Sequence, residues 1–171
     1  MAVAVQDLRI ICYPDPRLRR QCRKVDTFDG QLASVVERMF ELMREAKGVG
    51  LAAPQVGLDW RLFVCNHTGE PGNDLVVVNP RLDHLVGGEV SDEGCLSIPN
   101  VTLPVRRAEE CCLQAQNLEG KSFAAEGKGL LARIWQHETD HLDGRLIIDY
   151  MGPAERITNR RALKELEDKF C

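Results

Sequence analysis

Residues 130–141, LLARIWQHETDH, place two demands on the fold that few chains can satisfy together. Leu130, Leu131, Ile134 and Trp135 recur at helical spacing, which predicts a helix over 129–141 with an apolar face in the core. That helix also presents His137 and His141 one turn apart, with Glu138 beside them. Buried imidazoles without partners are costly, so a solvated helix end carrying two surface histidines does not fit the apolar run. A divalent cation suits this spacing, with the carboxylate as a neighbouring base. Two histidines still leave a catalytic centre one protein ligand short. The rest of the chain must wrap this helix and deliver another donor. Asp140 and Asp143, within a turn of the pair, are candidates to accept an imidazole N–H.

The missing ligand is not in the helix. In the extended peptidase pattern HExxHxxGxxH a third histidine follows the glycine; here Gly144 holds the glycine position, but Ile147 stands where that histidine would be. The residue types that could complete the set are His67, His84, a carboxylate or a thiolate. The seven cysteines are an odd number, and the start of the chain lacks the basic-then-apolar layout of an export signal. Both points favour reduced thiols and a cytoplasmic protein over a disulfide framework. Most free cysteines are simply small hydrophobes. Cys95 is set apart by following a glycine in the polar run SDEGC.

Around the helix the periodicity changes twice. Leu32, Val35, Val36, Met39, Phe40 and Met43 recur every three or four residues, predicting a helix over 31–45 that stops near Gly48. Residues 60–66, 74–82 and 110–117 are short runs rich in branched side chains between turn clusters, the pattern of antiparallel strands. A last helix is predicted over 155–170, after Gly152-Pro153. At 171 residues the chain is expected to form a single domain, residues 1–171. The expected class is α+β: antiparallel sheets around a central HExxH helix, with an N-terminal and a C-terminal helix. No apolar run reaches the ~20 residues of a membrane span. A net charge of −4 disfavours broad nucleic-acid binding, and no specific DNA partner is expected.

Two further stretches acquire meaning beside the helix. GVGLAAPQVG, residues 48–57, is small and flexible, and no Lys-Ser/Thr follows to make it a phosphate loop; alone it reads as a turn. EGCLSIP covers residues 93–99. Taken in order, Gly48 to Gln55, Glu93 to Ser97 and His137 to His141 resemble the three motifs of peptide deformylases, G-x-G-L-A-A-x-Q, E-G-C-L-S and H-E-x-D-H, without a substitution. The likeness runs over nearly the whole chain.

The resemblance implies a set of roles. Cys95 would join His137 and His141 as metal ligands, and Glu138 would be the general acid/base. The Gln55 side-chain amide and the Leu96 backbone N–H would bind the oxyanion. Val49 and Gly50 would lie along the substrate peptide, and Leu130 and Ile134, with Leu131 a weaker candidate, would wall a methionine pocket. The implied reaction removes the formyl group from the N-terminal methionine of new polypeptides as formate, through attack of metal-bound water on the formyl carbon. The family uses Fe(II) and accepts Zn(II), Ni(II) or Co(II). Arg156, Arg160, Arg161 and Lys164 in the last helix read by themselves as a solvated face; the resemblance implies a second role for them, docking on ribosomal RNA, as in some deformylases. Three positions depart from many family members: Arg133 stands at an often apolar helix position, Thr102 where some carry arginine, and Lys47 where some carry an acid. Two rivals share the motif: a peptidase that cuts internal bonds, and a protein that merely stores a structural metal. A relative acting on other acyl groups carries the same residues.

Overall fold

A computed structural model describes residues 3–170. The elements follow the two periodicities. Helix α1 (Gly30–Glu45) begins where Asp29 accepts hydrogen bonds from the backbone N–H of Gln31 and Leu32, an N-cap that satisfies otherwise unpaired donors. It buries Leu32, Val35, Val36, Met39, Phe40, Leu42 and Met43. The residues after it form β1 (Gly50–Ala52) and one tight turn of helix over Ala53–Val56, so this stretch is a strand and a turn together.

Strands β2 (Leu62–Cys65), β3 (Leu75–Val86), β4 (Glu89–Cys95), β5 (Ile98–Arg107), β6 (Glu110–Gln116) and β7 (Ser122–Lys128) follow. All named pairings are antiparallel, as short connections require. One sheet has the order β1-β2-β3-β6-β7, and β4 with β5 makes a separate two-stranded ribbon. Helix α2 (Leu130–Leu142) comes next, and helix α3 (Pro153–Phe170) closes the described chain. The α+β architecture with antiparallel sheets and helices near both ends is therefore present.

Three apolar clusters hold these pieces. The buried side of α1 packs with Leu51, Leu62, Val64 and Val78. Helix α2 lays Ala132, Ile134, Trp135 and Leu142 against Phe63, Val77, Cys111 and Leu113 of the larger sheet. Leu166 of α3 joins Ile98, Val101, Leu103 and Val105 of the ribbon. Helix α2 thus has the large sheet on one side and leaves its histidines toward the ribbon. Gly144 ends this helix at φ +74°, where a Cβ would sit 2.5 Å from the Arg19 carbonyl oxygen, so no other residue fits without moving backbone.

The cysteines among the described residues are free thiols. Burial pushes Cys22 and Cys65 up to about 12 and Cys111 up to about 11. Because the thiolate is the reactive form, these three are expected to resist iodoacetamide in native protein near neutral pH and to react on unfolding. Peptide mapping by mass spectrometry checks this; rapid native labelling of Cys65 would contradict the packing. Among the described residues no helix is long and apolar enough to cross a membrane.

Candidate active site

The ribbon supplies what α2 lacks. Strand β4 ends at Cys95 and β5 starts at Ile98, with a register shift between Gly94 and Cys95. This tight reversal presents the thiol toward α2. The ligand atoms of Cys95, His137 and His141 all lie within 4.8 Å of one another, and Cys95 Sγ is 3.3 Å from His141 Nε2. His67 and His84, open as ligands from residue type alone, are both exposed and outside this group.

The chemistry of the donors fits a cation. His137 Nδ1 lies 3.1 Å from Glu93 Oε2, which fixes the ring and leaves Nε2 for a metal. Burial holds the His141 imidazole well below its ordinary range, in the neutral form that ligates. Burial also acts to lower His137, but hydrogen bonds to Cys95 and Glu93 raise it well above the usual histidine value, so positive charge is favoured at this point. One sulfur and two imidazoles make a soft set suited to Zn(II) or Fe(II).

Glu138 follows His137 on α2 and is 4% exposed. Its Oε2 has no hydrogen-bond partner among the described residues. Burial pushes its carboxyl up to about 7. Gly50 faces it: a Cβ there would sit 2.4 Å from Glu138 Oε1, so a larger residue in β1 would displace this carboxylate. Gln55, 1% exposed, is locked by the Ala52 N–H donating to its Oε1 at 2.8 Å. Its Nε2 is thereby turned toward Cys95 Sγ at 3.6 Å and Ser97 Oγ at 3.2 Å.

These groups line one cavity of about 420 Å³. Val49, Gly50, Gln55, Cys95, Leu96, Leu130, Ile134, His137 and Glu138 all lie on it, while His141 sits behind, buried. Leu131 instead packs against the large-sheet core. Lys47 and Thr102 lie on the cavity wall, and both are exposed.

Comparison with known proteins agrees with this constellation. The model of the polypeptide deformylase family matches residues 7–157. The chain belongs to that family. It is 41% identical over 160 residues to a peptide deformylase of Acidobacterium capsulatum, covering 92% of this chain and 94% of that protein. The crystal structure of a peptide deformylase from Legionella pneumophila superposes with a TM-score of 0.89 at 41% identity, covering 94% of this chain and 96% of that one. An inhibitor complex of peptide deformylase 1B from Arabidopsis thaliana gives 0.90 at 40% identity, with coverage of 95% and 92%.

Family membership makes the supporting charges more telling. Asp140 and Asp143 do not orient the imidazoles as their positions suggested. Asp143 accepts from Arg61 Nη1 at 2.7 Å, and Asp140 accepts from Arg107 Nη1 and the Tyr150 hydroxyl. Each carboxylate is taken instead by an arginine from outside α2. The imidazole acceptor is Glu93, first residue of the EGCLS motif. Arg107 Nε and Nη2 donate to its two oxygens at 3.0 Å each, and Arg133 Nη1 donates to Oε1 at 2.7 Å. Burial alone would raise the Glu93 carboxyl, but the hydrogen bonds from His137 and Arg107 prevail and bring it down to about 2. Sequence reasoning missed Arg107; the only trace of it is the alternation Val101, Leu103, Val105, Arg107, which ends a series of buried strand positions on a charge.

Proposed function

We propose that this chain, read as one catalytic domain, hydrolyses the N-terminal formyl amide of newly made polypeptides, releasing formate and a free methionine amine. The observation that carries this reading is the Cys95, His137 and His141 group within 4.8 Å, on whose cavity Glu138 and Gln55 also lie. A closed structural site would need a fourth protein ligand and would have no use for an uncommitted buried carboxylate.

Cys95, His137 and His141 would hold a divalent cation. Its contribution when bound is Lewis acidity, which brings a water's pKa from about 15.7 toward about 7. Glu138 takes the proton from the attacking water and returns it to the departing amine, a task matched by a carboxyl near neutral pH and free of other partners. As the formyl carbon becomes tetrahedral, the Gln55 amide and the Leu96 N–H donate to its oxygen. Gln55 is suited to this because its own carbonyl is pinned, so the N–H direction is set before substrate arrives. Val49 and Gly50 at the cavity edge give the peptide backbone a strand to lie along, while Leu130 and Ile134 give the methionine side chain apolar wall.

Gln55→Ala is expected to lower kcat by about 10²–10³, the loss of one oxyanion donor. It also costs about 1–3 kcal/mol of stability, because the buried Ala52 N–H loses its acceptor. A raised KM with full turnover would count against the assignment. We assign Fe(II) as the working ion and a cytoplasmic setting. Anaerobic iron loading should release formate from formyl-Met-Ala faster than zinc loading; equal rates would refute the choice of iron. The exposed Arg156, Arg160, Arg161 and Lys164 of α3 form the face we assign to ribosome docking. Deleting residues 153–171 should weaken ribosome co-sedimentation, and unchanged co-sedimentation would remove that assignment.

A further inference from the structure

One wall of the cavity is not apolar. On α2, Leu130, Arg133, Ile134 and His137 share a face, and all four line the cavity. Arg133 is buried, with about 10% of its side chain exposed. Three of its five N–H groups are committed: Nη1 donates to Glu93 Oε1 at 2.7 Å and to the Val105 carbonyl at 2.9 Å, and Nη2 to the Glu89 carbonyl at 2.9 Å. These contacts fix the guanidinium plane against the ribbon. They leave the Nε–H and the second Nη2 hydrogen without a partner among the described residues.

The acceptors beside it are used up. Glu93 Oε1 takes Arg107 Nε and Arg133 Nη1, and Oε2 takes Arg107 Nη2 and His137 Nδ1, which fills the four lone-pair sites of a carboxylate. A side chain entering here meets surplus donors and a saturated acceptor. It is rewarded for a terminal acceptor and penalised for a terminal cation.

We infer that Arg133 is a specificity-determining residue that lets this deformylase-type site take formyl-aminoacyl peptides whose first side chain ends in a hydrogen-bond acceptor, methionine sulfoxide being the near-isosteric case. The inference rests on the deformylase reading above. Methionine oxidised at sulfur keeps its length and gains a polar oxygen. An all-apolar pocket would reject that oxygen, because it would be desolvated without a donor. Here an Arg133 N–H supplies one.

The test compares formate release from formyl-Met-Ala-Ser and formyl-Met(sulfoxide)-Ala-Ser by metal-loaded wild type, Arg133→Leu and Arg133→Lys. Wild type should use the two with kcat/KM values within about threefold of each other. Arg133→Leu should cut the sulfoxide-to-methionine ratio by at least about tenfold, and Arg133→Lys, which keeps a donor, by less. A wild-type ratio more than tenfold in favour of unoxidised methionine overturns the inference without any variant. So does a ratio that Arg133→Leu leaves unchanged. Absence of formate from both peptides in wild type would instead sink the deformylase reading, so the two failures are distinguishable.

Discussion

Glu138→Gln is expected to lower kcat by about 10²–10⁴ while the protein keeps its metal, because positioned proton transfer contributes on that order. The substitution preserves shape in a crowded place. Glu138 lies so close to Gly50 that a Cβ there would displace it, and it is almost wholly buried. Nothing among the described residues uses its Oε2, so no structural hydrogen bond is lost at that atom. Burial opposes charge on this carboxyl, so the neutral amide should not weaken the fold. Turnover and metal content measured on the same sample check the claim. A variant at wild-type rate would remove Glu138 from proton transfer, and one that lost its metal would make the residue a ligand.

Arg107→Met is expected to destabilise the protein by about 3–5 kcal/mol, the usual result of stripping one partner from a buried ion pair. Arg107 and Glu93 are each 6% exposed. Arg107 reaches Asp140 as well as Glu93, and its guanidinium lies 4.8 Å from the Tyr150 ring centroid. It ties the ribbon to α2 and to the turn before α3. Its removal leaves Glu93 less firmly placed to hold the His137 ring, so metal affinity should fall by roughly 10–100-fold. Urea unfolding at a fixed metal concentration and competition with a chelator read the two effects. A loss below about 1 kcal/mol would place the pair in the class of surface bridges.

Helices α1 and α2 were legible because buried faces recur at 3.6 residues, and both lie within a residue or two of the ranges predicted. Strands β2, β3 and β6 were legible on a different signal, as short runs rich in branched side chains between turn clusters. The ribbon was not. Residues 89–95, EVSDEGC, are mostly polar, and prolines interrupt residues 98–107, so local composition argues against strands that only mutual pairing creates. That ribbon carries Cys95, which is 46 residues from His141 in sequence. Spacing within the helix could state that a ligand was missing; only the motif resemblance could suggest which. Asp140 and Asp143 misled because both carboxylates are taken by arginines distant in sequence, Arg107 and Arg61. Glu93 was visible as a motif residue, but its grip on His137, Arg107 and Arg133 depends on tertiary contacts. Arg133 was visible as a departure from the family, and its meaning came only with the cavity it lines.

The central claim is that this site opens a formyl amide and not an internal peptide bond. A single mixture tests it: metal-loaded protein incubated with a formyl-Met peptide and a blocked peptide without a formyl group. Formate is assayed enzymatically and both peptides are followed by mass spectrometry. Equimolar formate and free-amine peptide, with the blocked peptide intact, is the predicted result. Cleavage inside either peptide, or loss of the formyl peptide without formate, would contradict it.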